Sequence, residues 1–355
     1  MPTPSPDARD PDRPTAAAGT RRRYIEIDVL RGLAAFWVVL SHYLPYWNKY
    51  LGPAPIIVPN SWGIYAVKLF FVVSGFVIFM TLERCATVTD FAVLRFSRLY
   101  PTYWATLGLV TVVSALAFGV GIWPGGLVVN ATMFQEFLGF PNFDNVYWSL
   151  TVELAFYLNV AWLFALGLHR RSHAVVVGWL LLTCLWSLTP HLPGTDHRGL
   201  LAKLFAFDFA PYFALGITFF SASRQGWSRS HAGLVALALA TEFLLTGWIG
   251  LGIAAGIALI FSLALWGRLP FLVSRVTVWL GAISYSLYLL HRNLGYLTLD
   301  WLHAHKWGPG AAVPVVILAA LGLASAVTYG VERPAMRWIR RLHDGWKARR
   351  ARPAV

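Results

Sequence analysis

An arginine and a histidine lie eleven residues apart in the apolar run IDVLRGLAAFWVVLSHYLPYW. Eleven helical residues make about three turns, so Arg31 and His42 point to one side, roughly 16 Å apart along the axis. An ionised group inside a bilayer is costly and marks a polar pathway or a reaction centre. A ligand anion entering past Arg31 would reach the imidazole with its far end. Histidine titrates near neutrality, which suits a general base. The competing structural reading pairs Arg31 with Asp28, three residues back on the helix face, and leaves His42 as an interfacial residue beside Pro45.

Other polar side chains interrupt apolar runs further along. NSWGIYAVKLFFVVSGFVIFM holds Lys68, either embedded or snorkelling outward. Its Ser74 and Gly75 form a small patch that another helix or a ligand can approach. LRFSRLYPTYW places Arg95 and Arg98 three apart, just before a span. They serve as plain topology determinants or as a phosphate clamp, because guanidinium forks match phosphate oxygens. YWSLTVELAFYL carries Glu153 inside a span, where a carboxylate must be paired or neutralised. It could orient the imidazole, bind substrate hydroxyls or pair with Lys68. SYSLYLLHRN carries Tyr285, Tyr288, His291 and Arg292, the last two about 100° apart on a helix. Asp208 and Glu242 are weaker acidic candidates. The histidines are scattered and show no zinc spacing. No Gly-rich phosphate loop or nucleophile elbow is present.

The elements that position these groups follow from composition. The 355 residues are 57% hydrophobic and 13% charged, with mean hydropathy +0.58. Apolar runs long enough to cross about 30 Å of hydrocarbon recur along the chain, and the ten-residue alternation of a membrane barrel is missing. The fold class is all-α, a polytopic helical bundle of about ten spans. They are placed at 27–46, 62–83, 99–120, 146–168, 175–190, 201–221, 232–247, 249–267, 276–298 and 311–331. The seventh and eighth are joined by a turn at Gly247–Gly250. With both termini cytoplasmic, twenty-two Lys and Arg fall inside and four outside, a strong positive-inside bias. The net charge of +13 therefore reports topology, not nucleic-acid binding. Residues 1–23 read as a disordered cytoplasmic tail and 335–355 as a basic amphipathic one that lies on anionic lipid. The two cysteines, Cys85 and Cys184, suggest neither a disulfide framework nor a metal site.

Taken in order, LRGLAAFWVVLSHY, FFVVSGFVI, RFSRLYPTYW, YWSLTVELAFYL, SYSLYLLH and YGVERP resemble the acyltransferase-3 family, the integral membrane O-acyltransferases of bacterial surface glycans. The resemblance covers about residues 24–334. It implies a bacterial inner-membrane enzyme that moves an acyl group, commonly acetyl, from cytoplasmic acyl-CoA to a hydroxyl of a carbohydrate or glycoconjugate, with no metal. Arg31 and His42 match the family's essential pair, Arg95 and Arg98 its RxxR pair, and Glu153 its fourth-span glutamate. On this reading His42, Arg31 and Glu153 are catalytic. Arg95, Arg98, Arg31 and Ser74 hold the donor, and Lys68, Tyr288, His291 and Arg292 meet the acceptor. His42 acts as the base in direct transfer, or carries the acyl group itself. A proton-coupled transporter of a glycan or lipid-linked substrate is the rival reading, since it too needs buried Arg, His and Glu. Oligomeric state is left open.

Overall fold

A computed structural model describes residues 24–53, 59, 62–189 and 197–350. The tail assigned to 1–23 lies outside them. The described chain is helical: α1 Ile25–Tyr46, α2 Gly63–Leu82, α3 Val88–Phe118, α4 Pro124–Ala131, α5 Trp148–Ala165, α6 Ser172–Leu188, α7 His197–Leu204, α8 Ala210–Gln225, α9 Arg229–Leu265, α10 Arg275–Ala304, α11 Pro309–Val327 and α12 Arg333–Arg350. Among the described residues, seven helical stretches are long and apolar enough to cross a membrane. Their outer faces leave Leu116, Leu188, Trp248, Ile249 and Leu318 exposed, an apolar surface that hydrocarbon would cover favourably. The protein is a multi-spanning membrane bundle.

Local sequence explains where the helices differ from the expected spans. The third begins at Val88, eleven residues early, because Thr87 and Asp90 form a reciprocal capping box that satisfies otherwise orphaned N–H groups. It stops at Gly119, which adopts φ 64°, the left-handed conformation glycine reaches without strain. The sixth is interrupted: α7 ends at Leu204, Ala206 takes a positive φ, and Pro211 sits in the first turn of α8, where its missing N–H costs nothing. The seventh and eighth form one hydrogen-bonded stretch, α9, broken at Gly247 with φ 74° and ψ −161°. A straight helix of that length would reach about 55 Å. Yet His231 near its start lies 3.2 Å from Ser221, and the Phe261 ring near its end lies 5.4 Å from that of Phe219. Both partners are at the end of α8, so the two arms fold back on each other at Gly247.

Two close helix pairs make the frame. α1 and α10 run parallel: Gly32 faces Gly281 so tightly that a Cβ would sit 2.4 Å from the Gly281 nitrogen. Further along, the Tyr43 hydroxyl donates to the His291 carbonyl at 2.6 Å and the Tyr46 hydroxyl to Asp300 at 2.8 Å. α2 and α8 cross through Gly75 and Gly216, where Cβ atoms would lie 2.3 Å from the Phe213 carbonyl oxygen and 2.1 Å from that of Val72. The small patch at Ser74–Gly75 is thus a helix crossing on its glycine side. Around it Phe71, Phe76, Phe156, Phe213 and Phe261 are buried in the main core. α3 packs on α10 in the same sense, with the Tyr285 hydroxyl on the Leu99 carbonyl at 3.1 Å and, further along both, Val110 in one buried cluster with Leu290. α12 lies across the first turn of α3, where Asp90 Oδ1 meets His343 at 2.7 Å and Lys347 at 2.8 Å. The start of α1, the start of α3 and α12 therefore share one end of the bundle. Cys85 and Cys184 are free thiols.

Candidate functional site

The α1–α10, α2 and α3–α5 faces leave a cavity of about 120 Å³ between them. Arg31, Ser74, Arg95, Arg98, Glu153 and Tyr288 all line it. Five separate helices contribute these six side chains, so only the folded bundle assembles them.

The guanidinium groups gather at the end shared with α12. Arg31 donates to Ser284 Oγ at 3.1 Å and lies 3.6 Å from Asp28. Arg95 donates to Thr81 Oγ1 and stands over the Tyr157 ring at 5.7 Å. Its Nε is buried with no partner among the described residues, a donor that a ligand oxygen would satisfy. Arg98 is ion-paired with Glu332 and lies over Tyr285, 5.3 Å from the ring centre. Glu332 is itself buried and accepts a 3.2 Å hydrogen bond from Ser286. Helical spacing explains the grouping. Arg95 and Arg98 are one turn apart on α3, and the parallel packing of α1 and α10 brings Arg31 to the same level.

Glu153 occupies the middle. Its Oε1 accepts from Ser74 at 2.7 Å and from Tyr157 at 2.6 Å. It does not orient the imidazole, nor does it pair with Lys68. Tyr288 also lines the cavity, and its hydroxyl lies 2.7 Å from Ser149 Oγ and donates to the Val146 carbonyl at 3.1 Å.

His42 lies just beyond. Its neighbour is the His291 ring, one turn after Tyr288, with ring centres 5.0 Å apart and His42 Nδ1 3.3 Å from His291 Nε2. His42 and Arg31 both face α10, as their spacing requires. Arg31 lines the cavity, whereas His42 is not among its lining residues; the His291 ring lies between it and Tyr288 in the chain of contacts, 5.9 Å from the Tyr288 ring centre.

Three side chains assigned to the acceptor have protein partners instead. Lys68 pairs with Glu242 at 2.9 Å, away from the cavity. His291 is fully buried, and Arg292 reaches Asp144 at 3.4 Å while stacking over Tyr296. The sequence does not show which helix faces each of them, so it leaves these partners open. Of that group, Tyr288 lines the cavity. Asp208 is not among its lining residues. Sequence reasoning missed Glu332, Tyr157 and Asp144. Glu332 carried a signal, an acid at the end of an apolar run, but it reads equally as the edge of a span. Among the described residues no group of three His, Cys, Asp or Glu side chains is placed to hold a metal.

Comparison with known proteins finds relatives over most of the chain. The family profile described as acyltransferase domain matches residues 24–329. Nodulation protein 10 of Rhizobium leguminosarum bv. viciae is 24% identical over 87% of this chain and 92% of its own length. Acyltransferase MdmB of Streptomyces mycarofaciens is 28% identical over 79% of this chain and 82% of its own. No solved structure matches.

Proposed function

The chain belongs to the acyltransferase-3 family, and from that premise we propose that it moves an acyl group, most simply acetyl, from cytoplasmic acyl-CoA to a hydroxyl of a carbohydrate or glycoconjugate. The observation that carries this reading is the cavity lined by three arginines and Tyr288, with His42 outside its lining and joined to Tyr288 through the His291 ring. A thioester of coenzyme A has the same polarity: phosphates at one end, a narrow apolar-to-amide arm, and the reacting carbonyl at the far tip.

The arginine end faces the cytoplasm in the ten-span topology. There Arg95, Arg98 and Arg31 bind phosphate oxygens by charge-assisted hydrogen bonds. The arm passes Ser74 and Glu153. The thioester lies beyond, near His42, whose free ring nitrogen takes the proton of the acceptor hydroxyl as its oxygen attacks the carbonyl. The carbon–sulfur bond breaks, and the imidazolium returns the proton to the thiolate. Tyr288 lines the cavity on this side; its one O–H donates to the Val146 carbonyl here and would have to turn from it to donate to the thioester oxygen as charge develops. The bacterial inner membrane is the setting this chemistry implies, with α12 on its cytoplasmic leaflet.

Purified protein in detergent supplies the test. It should release thiol from acetyl-CoA in the presence of a glycan acceptor, and His42→Ala should reduce this to background. Arg95→Ala should raise KM for acetyl-CoA at least tenfold and leave KM for acetyl-pantetheine, which lacks the nucleotide, unchanged. Proton-coupled movement of a glycan across vesicles without thiol release would favour a transporter.

A further inference from the structure

The two buried histidines specify each other's protonation. His291 Nδ1 lies 2.8 Å from the Tyr288 carbonyl oxygen. A carbonyl only accepts, so in the neutral ring that nitrogen carries the hydrogen and Nε2 is a bare acceptor. His42 Nδ1 lies 2.9 Å from the Val38 carbonyl oxygen and 3.3 Å from that His291 Nε2. Both partners are acceptors, so His42 Nδ1 must be the protonated nitrogen. Its Nε2 is left with a free lone pair. The arrangement is rigid: His291 is fully buried, and the hydroxyl of Tyr43, next to His42 on α1, donates to the His291 carbonyl at 2.6 Å. The Tyr43 ring also rests where a Cβ of Gly295 would be, which locks α1 against α10 at this level.

We propose that His291 is a positioning residue for His42, accepting its Nδ1–H so that Nε2 faces the reaction as the base. This rests on the acyl-transfer reading above and adds a role that the sequence did not suggest, since His291 was there an acceptor-binding residue. In the step itself the acceptor's O–H proton moves to His42 Nε2, the new oxygen–carbon bond forms, the carbon–sulfur electron pair goes to sulfur, and the Nε2 proton passes to the thiolate. While His42 is an imidazolium, its Nδ1–H is held between the Val38 carbonyl and His291 Nε2. A carboxylate does this work in serine hydrolases, fixing tautomer and orientation and supporting the positive ring. A neutral imidazole does it here without placing an anion in a buried site, where an unpaired charge is costly.

The experiment compares His291→Leu with His291→Gln in full-length protein, using acetyl-CoA and a glycan acceptor that the wild type uses. Glutamine keeps an acceptor oxygen near the lost Nε2; leucine has similar bulk and no acceptor. His291→Leu should lower kcat about a hundredfold with KM for acetyl-CoA within twofold, and His291→Gln should recover to within tenfold of wild type. Thermal unfolding in detergent reports whether each variant folds. If His291→Leu keeps wild-type kcat, or if folded His291→Gln falls to background, the positioning role is overturned. Should His291→Leu not fold, the glutamine variant decides alone. The underlying reading fails separately, when wild type transfers no acyl group or His42→Ala retains transfer.

Discussion

Lys68 offers the sharpest test of where this bundle places its charges. Its ammonium lies 2.9 Å from Glu242, whose side chain is fully enclosed. The same Glu242 oxygen accepts from Tyr212 at 2.8 Å and from Thr246 at 2.9 Å. At that separation the pair attracts by about 6 kcal/mol with an effective dielectric of about 20, set against the desolvation of both groups. Lys68→Met removes the cation and leaves the carboxylate buried, which costs about 3–5 kcal/mol. Glu242→Gln alone strands the ammonium and should cost a similar amount. The double variant removes both charges and keeps an acceptor for Tyr212 and Thr246, so its cost should be smaller than either single change. At about 2 °C per kcal/mol for a chain this size, Lys68→Met should lower the unfolding temperature by about 6–10 °C in detergent, with roughly half recovered in the double variant. KM for acetyl-CoA, measured well below the transition, should stay within twofold of wild type, because Lys68 is not part of the cavity lining. Unchanged thermal stability with a severalfold rise in KM for either substrate would refute this reasoning and return Lys68 to the substrate.

Four other sets of substitutions test the remaining geometry. Glu153→Gln keeps an oxygen for Ser74 and Tyr157, so thermal stability should hold within about 1 kcal/mol; a kcat loss beyond tenfold in steady-state assays would then report the missing charge. Gly75→Ala and Gly216→Ala drive a methyl into backbone at 2.3 and 2.1 Å and should each destabilise by about 3 kcal/mol or prevent folding, read as loss of the monodisperse peak in size-exclusion chromatography. Gly108→Ala, with nothing within 4 Å of its added methyl, should gain up to about 1 kcal/mol from helix propensity. Arg98→Ala should both raise KM for acetyl-CoA and lower stability by about 3 kcal/mol, because it strands Glu332; adding Glu332→Gln should restore the stability and not the KM.

The local and periodic features were legible in the chain. Apolar length gave a helical membrane bundle, because a backbone in hydrocarbon must satisfy its hydrogen bonds within each segment. The eleven-residue interval put Arg31 and His42 on one side of α1, because helical pitch is fixed. The three-residue interval grouped Arg95 with Arg98, and two glycines marked the fold-back within α9. The partners of the charged groups were not legible. Lys68 with Glu242, Arg98 with Glu332, Arg292 with Asp144 and His42 with His291 join residues more than a hundred positions apart, and many pairings would satisfy the same sequence. Which one forms is set by how closely helices can approach. Glycines at 32, 75, 216 and 281 let α1 meet α10 and α2 meet α8 at near backbone contact, and that packing fixes which face each charge sees. The chain alone thus determined which side chains needed partners inside the membrane; only the packed bundle decided which of them face one another and which face the cavity.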